Sequence, residues 1–68
     1  MISFELEETQ SGVEIVFDLQ GIDDMIRYLT FVKDNMESIH LSIGNELEEK
    51  IFHSGNSLIR HVKLICID

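Results

Sequence analysis

The chain has 68 residues, 13 acidic and 5 basic side chains, a formal net charge of −8 and one cysteine. A chain this short buries only about 60% of its unfolded surface, which predicts a single domain and excludes a deep enzymatic cleft. The negative charge also excludes the positive surface that phosphate backbones require, so no nucleic-acid ligand is expected. Such a surface instead attracts and orients a basic protein.

Cysteine content and hydropathy favour the cytoplasm. Cys66 alone makes no internal disulfide, and the N-terminus lacks the charged-then-apolar pattern of a secretory signal. No apolar run reaches the roughly 18 residues of a membrane span, so no membrane partner is expected. With 44% hydrophobic residues, the chain is predicted to fold.

The first two predicted elements are strands. Apolar and polar residues alternate over 2–7 and again over 13–18, which is the period of a strand covered on one face. The residues between them, Thr9-Gln10-Ser11-Gly12, favour a turn. The sequence therefore predicts an antiparallel hairpin.

The apolar period then changes to that of a helix, at about 100° per residue. The helix is predicted to end at Met36 and to begin either at Leu19, capped by Asp18, or at Ile22, because Gly21 is unfavourable inside a helix. Its apolar stripe contains Ile22, Met25, Ile26, Leu29, Val32 and Met36. The side chains expected to pack together are Ile22, Ile26 and Leu29 of the helix with Phe4, Ile15, Leu41 and Leu64 of the sheet.

Two further strands are predicted at 39–43 and 58–67. The segment between them, 46–53, fits a capped helical turn or one arm of a hairpin, and the helical turn is favoured. The predicted fold is a two-layer α+β domain over residues 1–68. One amphipathic helix packs on a mostly antiparallel sheet of about four strands, in the order β-β-α-β-β, and the other sheet face stays open.

The open face is predicted to be largely acidic, since seven acidic residues precede the first basic one, Arg27. The carboxylates expected to bind a partner are Glu5, Glu7, Glu14 and Asp18 on this face and Glu46, Glu48 and Glu49 in the later loop. Phe31, about opposite the apolar stripe, and Tyr28 at its margin are candidate aromatic anchors. The alternatives are a solvated face that only keeps the domain soluble, and a Phe31 folded against the loop around Phe52.

No constellation in the sequence predicts catalysis. The serines and Cys66 lack the setting of a nucleophile. His40, His53 and His61 show neither a helical i,i+4 pair nor the ligand spacing of zinc sites. Only convergence of His40 and His61 on neighbouring strands beside a glutamate would make a metal site. We therefore expect no enzyme, no metal and no cofactor.

Four short segments resemble the immunity protein thirty-two family, small α+β proteins encoded beside toxins in bacterial polymorphic toxin systems. They are Asp18-Leu19-Gln20-Gly21-Ile22, Ile39-His40-Leu41, Gly44-Asn45-Glu46-Leu47 and His61-Val62-Lys63-Leu64. The resemblance extends from Val13 onward, although Ile43 stands where family members carry a tryptophan. It implies a protein that binds and blocks a cognate toxin without catalysis of its own.

An acidic surface agrees with this implication, because it could occupy the phosphate-binding surface of a basic toxin such as a nuclease. The competing hypothesis is a small homo-oligomeric adaptor or structural domain without toxin-related activity. In that case the last strand or the Phe31 face would pair with a second copy. Dimerisation would also relieve the shortage of core in so short a chain.

Overall fold

The computed structural model describes all 68 residues and contains one helix and five strands. The strands are β1 (Ile2–Leu6), β2 (Val13–Phe17), β3 (Ile39–Ser42), β4 (Ser57–Leu58) and β5 (His61–Leu64), and the helix is α1 (Leu19–Asn35). The predicted α+β class, one helix on antiparallel strands, is confirmed. The helix lacks the length and apolar character needed to cross a membrane.

The strands form two small sheets. β1 is the central strand of the first sheet and pairs antiparallel with β2 and β4. β3 and β5 form a separate antiparallel ribbon. The single closing strand predicted over 58–67 is wrong, because the chain leaves β1 after Ile59 and joins β3 from His61. Backbone hydrogen bonds from Ile59 N–H to the Phe4 carbonyl and from Ile43 N–H to the Arg60 carbonyl hold this crossing.

Asp18 caps the helix, so the earlier of the two predicted starts is confirmed. Its carboxylate accepts a hydrogen bond of 2.7 Å from Gly21 N–H and also contacts the Met1 ammonium. Gly21 is required inside the helix because the Met1 backbone crosses at this point. A Cβ on Gly21 would lie 1.9 Å from the Met1 carbonyl oxygen. The helix ends before Met36, which adopts the left-handed conformation with φ 52°.

The core cluster consists of Ile2, Phe4, Leu41 and Leu47. Phe4 and Leu41 were expected there, and Leu64 packs against the cluster. The helix is rotated about its axis relative to the prediction, so that Met25 and Val32 of the predicted stripe are covered while its other members are exposed. Its covered residues, spaced at i, i+4, i+7 and i+11, are Gly21, Met25, Tyr28 and Val32.

The predicted burial of Ile22, Ile26 and Leu29 is therefore wrong, and so is that of Ile15, which is 47% exposed. The helix carries two adjacent apolar sectors, and periodicity alone does not choose between them. Gly21 determines which sector faces the sheet, because only a residue without a side chain permits the close approach to Met1.

The loop 44–56 contains no helix, so the helical turn predicted at 46–53 is wrong. Leu47 is buried in the core and forms a parallel bridge with Ile43. Farther along, the backbone N–H groups of Phe52 and His53 bond to the carboxylate of Glu5 on β1. The loop therefore covers the sheet face that was expected to be open. These side-chain and tertiary contacts replace the backbone hydrogen bonds of a helical turn.

Candidate functional site

Glu5 lies in the interior, where it holds the loop 44–56 against β1. Its side chain is fully buried. Four donors surround the carboxylate: Phe52 N–H at 2.8 Å, His53 N–H at 3.3 Å, Asn56 Nδ2 at 3.0 Å and the Ser3 hydroxyl at 3.2 Å. Burial raises the pKa of Glu5, but these hydrogen bonds outweigh burial and leave its pKa below the ordinary value. Its predicted placement on an open sheet face is therefore wrong.

Glu14 is the direct cross-strand neighbour of Glu5. Its carboxylate lies 2.6 Å from Asn56 Nδ2 and 2.9 Å from His53 Nδ1. The Asn56 amide thus donates to both glutamates, which offsets the repulsion of two like charges across the strand pair. Glu14 is half-buried and is committed to this network rather than free for a partner.

The carboxylates of Asp18 and Glu46 also accept hydrogen bonds from backbone N–H groups. The hydrogen bond from the Met1 ammonium, followed by that from Gly21 N–H, holds the pKa of Asp18 below its ordinary value. Glu46 Oε1 accepts a hydrogen bond of 3.0 Å from Ser42 N–H, which closes the turn after β3. Both carboxylates reach the surface, but a substitution at either one would disturb the fold.

Two of the carboxylates that have no partner within the protein, Glu7 and Glu8, lie at one end of the first sheet. A shallow polar cleft of about 210 Å³ opens where the β1–β2 turn meets the loop 44–56. We call it the acidic cleft; it is lined by Glu7, Glu8, Thr9, His53, Ser54 and Asn56. Neither Glu7 nor Glu8 makes a side-chain hydrogen bond or salt bridge, and no basic side chain other than His53 lines the cleft. The cleft is therefore open to a cationic group.

The acidic cleft includes Glu7, which was predicted, and Glu8, which was not. The sequence feature that could have indicated Glu8 is the pair of adjacent glutamates immediately before the turn residues. The alternation over 2–7 placed Glu7 on the predicted open face, and Glu8 lies just outside this alternating segment. Glu48 and Glu49, also predicted, are exposed and unpaired but do not line the cleft.

The two aromatic candidates differ in their surroundings. Phe31 is 44% exposed and forms no aromatic pair with Phe52, whose ring instead lies 5.0 Å from Lys50 Nζ. Tyr28 packs against the core cluster, which leaves it partly covered.

A second surface feature comes from the unused apolar sector of α1. We call it the apolar helix stripe; its members and exposed fractions are Leu19 (83%), Ile22 (43%), Ile26 (56%) and Leu29 (51%). Their spacing places them along one side of the helix. Large contiguous apolar patches on a protein surface are a common feature of interaction sites. This surface was not predicted, because the apolar period of the helix assigned three of its four members, Ile22, Ile26 and Leu29, to the core.

No group of three or more His, Cys, Asp or Glu side chains is placed to hold a metal ion. Cys66 follows β5 as a half-buried residue outside any strand.

No protein-family model matches the chain, and no curated protein and no solved structure is significantly similar to it.

Proposed function

We propose that the chain is an immunity protein that binds and neutralises a basic cognate toxin through its acidic surface. The acidic cleft is the observation that carries this proposal. Glu7 and Glu8 present two carboxylates that no side chain of the protein neutralises, in a molecule of net charge −8. The four segments that resemble the immunity protein thirty-two family supply the class of partner.

Two properties of the surface suit this role. Unpaired carboxylates steer a basic protein and accept its Arg or Lys side chains, which raises the association rate. Apolar side chains that lose water on contact slow dissociation, and such residues dominate the centre of protein interfaces. The acidic cleft supplies the first property and the apolar helix stripe the second. A toxin whose phosphate-binding surface is occupied in this way no longer reaches its substrate.

The test is protection of cells that express the toxin encoded by the adjacent gene. The wild-type protein is expected to protect, and Glu7→Lys with Glu8→Lys to weaken protection. The matched control is Glu48→Lys with Glu49→Lys, which changes the net charge equally outside the cleft. We avoid Glu14 and Asp18 because their carboxylates hold the fold.

Two results would count against parts of the proposal. If the wild-type protein neither binds the toxin nor protects the cells, the immunity function is wrong. If both pairs of charge reversals weaken protection equally, the immunity function is still supported, but the assignment of toxin binding to the acidic cleft is wrong.

A second function, the homo-oligomeric adaptor, is favoured by the apolar helix stripe alone. A second copy could cover Ile22, Ile26 and Leu29 and enlarge the small core. Self-association would bring together two chains of charge −8, which opposes it at low salt. Sedimentation equilibrium separates the two proposals. The adaptor function predicts a dimer that Ile26→Ser dissociates and no protection against the toxin, whereas the immunity function predicts a monomer that acquires a partner only with the toxin.

A further inference from the structure

We propose that His40 and His61 form a two-histidine binding site for a divalent late transition-metal ion, Ni²⁺, Cu²⁺ or Zn²⁺, on the outer face of the β3–β5 ribbon. This site is independent of the proposed toxin binding. The strand register brings the two residues together. His40 lies opposite Lys63, and His61 lies opposite Ser42. The two histidines are therefore diagonal neighbours on the same face, and their ring centroids are 4.8 Å apart.

The spacing of the rings matches that of two imidazoles bound to one ion. A metal–nitrogen bond of about 2.0 to 2.1 Å places each ring centre about 3.2 Å from the ion. At ligand angles between about 90° and 109°, two ring centres lie about 4.5 to 5.2 Å apart. The observed distance of 4.8 Å falls inside this interval. The two rings therefore already lie at a separation that two ligands of one ion adopt.

Both rings are available to a ligand. His40 and His61 are exposed, and neither ring makes a hydrogen bond or a salt bridge. The third histidine differs, because His53 Nδ1 contacts the carboxylate of Glu14 at 2.9 Å. Binding of an ion by His40 and His61 would break no existing contact, whereas His53 would have to leave the network that holds the loop.

The two imidazole ligands determine which metal ions the site can bind. Imidazole nitrogens favour Cu²⁺, Ni²⁺ and Zn²⁺, whereas Mg²⁺ and Ca²⁺ require oxygen ligands. Two protein ligands leave the remaining coordination positions to water or to a group of another molecule. No carboxylate completes a three-ligand group here, and Lys63, opposite His40, places a positive charge beside the site. The site is therefore expected to bind with moderate affinity and to bind more tightly in Lys63→Ala.

Calorimetric titration of the full chain with Ni²⁺ at pH 7.5 tests the site, with nuclear magnetic resonance identifying the perturbed imidazoles. One ion per chain is expected, and the resonances of His40 and His61 shift together. His40→Ala or His61→Ala should each weaken binding by about tenfold or more, since either substitution removes one of two ligands. His53→Ala is the matched control and should retain the wild-type affinity. Acidification to pH 5 should weaken binding, because the ligating imidazole must be neutral.

Three results would overturn the proposal. The first is Ni²⁺ binding no tighter than that of Mg²⁺. The second is retention of wild-type affinity in both His40→Ala and His61→Ala. The third is a loss of binding in His53→Ala equal to the loss in the other two variants, which would place the ion elsewhere. Circular dichroism of each variant verifies that the exposed substitutions leave the fold intact.

Discussion

At the scale of single residues, hydrogen bonds separate the carboxylates into two groups. Glu5, Glu14, Asp18 and Glu46 accept bonds from backbone or amide donors and hold turns, a helix cap and a loop. Glu7, Glu8, Glu48 and Glu49 accept none. The acidic character of the surface could be predicted from the sequence. The division into hydrogen-bonded and unpaired carboxylates could not be predicted, because it depends on hydrogen-bond donors far along the chain, such as Asn56.

Glu5→Gln is expected to lower the free energy of unfolding at pH 7 by about 1 to 3 kcal/mol, because a buried carboxylate that accepts four hydrogen bonds becomes an amide with only one acceptor oxygen. Urea denaturation measures the change. The exposed Glu48→Gln is the control and should stay within about 0.5 kcal/mol of wild type.

The same variant should also alter the pH dependence of stability. The pKa of Glu5 in the folded protein lies below its ordinary value of 4.5, so the unfolded chain binds the proton more readily. The contribution of Glu5 is therefore present above the unfolded pKa and is lost as the pH falls through the folded pKa. Glu5→Gln should lose less stability than wild type between pH 5 and pH 3. An equal loss in both proteins would mean that Glu5 is not a charged acceptor.

Gly21→Ala offers a test in which two effects have opposite signs. Alanine favours a helix over glycine by about 1 kcal/mol. Here a Cβ would lie 1.9 Å from the Met1 carbonyl oxygen, and overpacking of this kind costs about 1 to 3 kcal/mol or more. The variant is expected to unfold at a lower temperature than wild type. A higher melting temperature would show that the helix does not cross Met1 so closely.

At the scale of elements, the existence and the cap of α1 could be predicted, but its rotation about its own axis could not. Met25, Tyr28 and Val32 lie beside the sector that holds Ile22, Ile26 and Leu29, and the combined apolar arc satisfies either orientation. The loop 44–56 was mispredicted for a related reason. Its conformation is fixed by Glu5 and by burial of Leu47, and both are long-range effects.

A pair of identical substitutions tests the rotation of the helix. Leu41 is completely buried and Leu29 is 51% exposed. Leu41→Ala is expected to cost about 2 to 5 kcal/mol, the range for a core leucine. Leu29→Ala should cost less than about 1 kcal/mol, because half of its surface is already in water. Comparable losses in chemical denaturation would mean that Leu29 belongs to the core after all.

At the scale of the whole molecule, a small core coexists with much exposed apolar surface. The core cluster has only four members, and the apolar helix stripe lies outside it. So few core side chains provide limited stability, and the uncovered stripe is available for contact with another protein. The chain also carries a net charge of −8, and under the proposed function these two features together serve the binding of a basic partner.

The most direct test of this account is the rate of association with the cognate toxin as a function of salt. Exposed charges are screened beyond about 8 Å at physiological ionic strength, so a steered association slows as salt increases. We expect the association rate constant of the wild-type protein to fall by about tenfold or more from low to physiological salt, and that of Glu7→Lys with Glu8→Lys to change much less. An association rate independent of salt, or the same dependence in both proteins, would contradict binding through the acidic cleft.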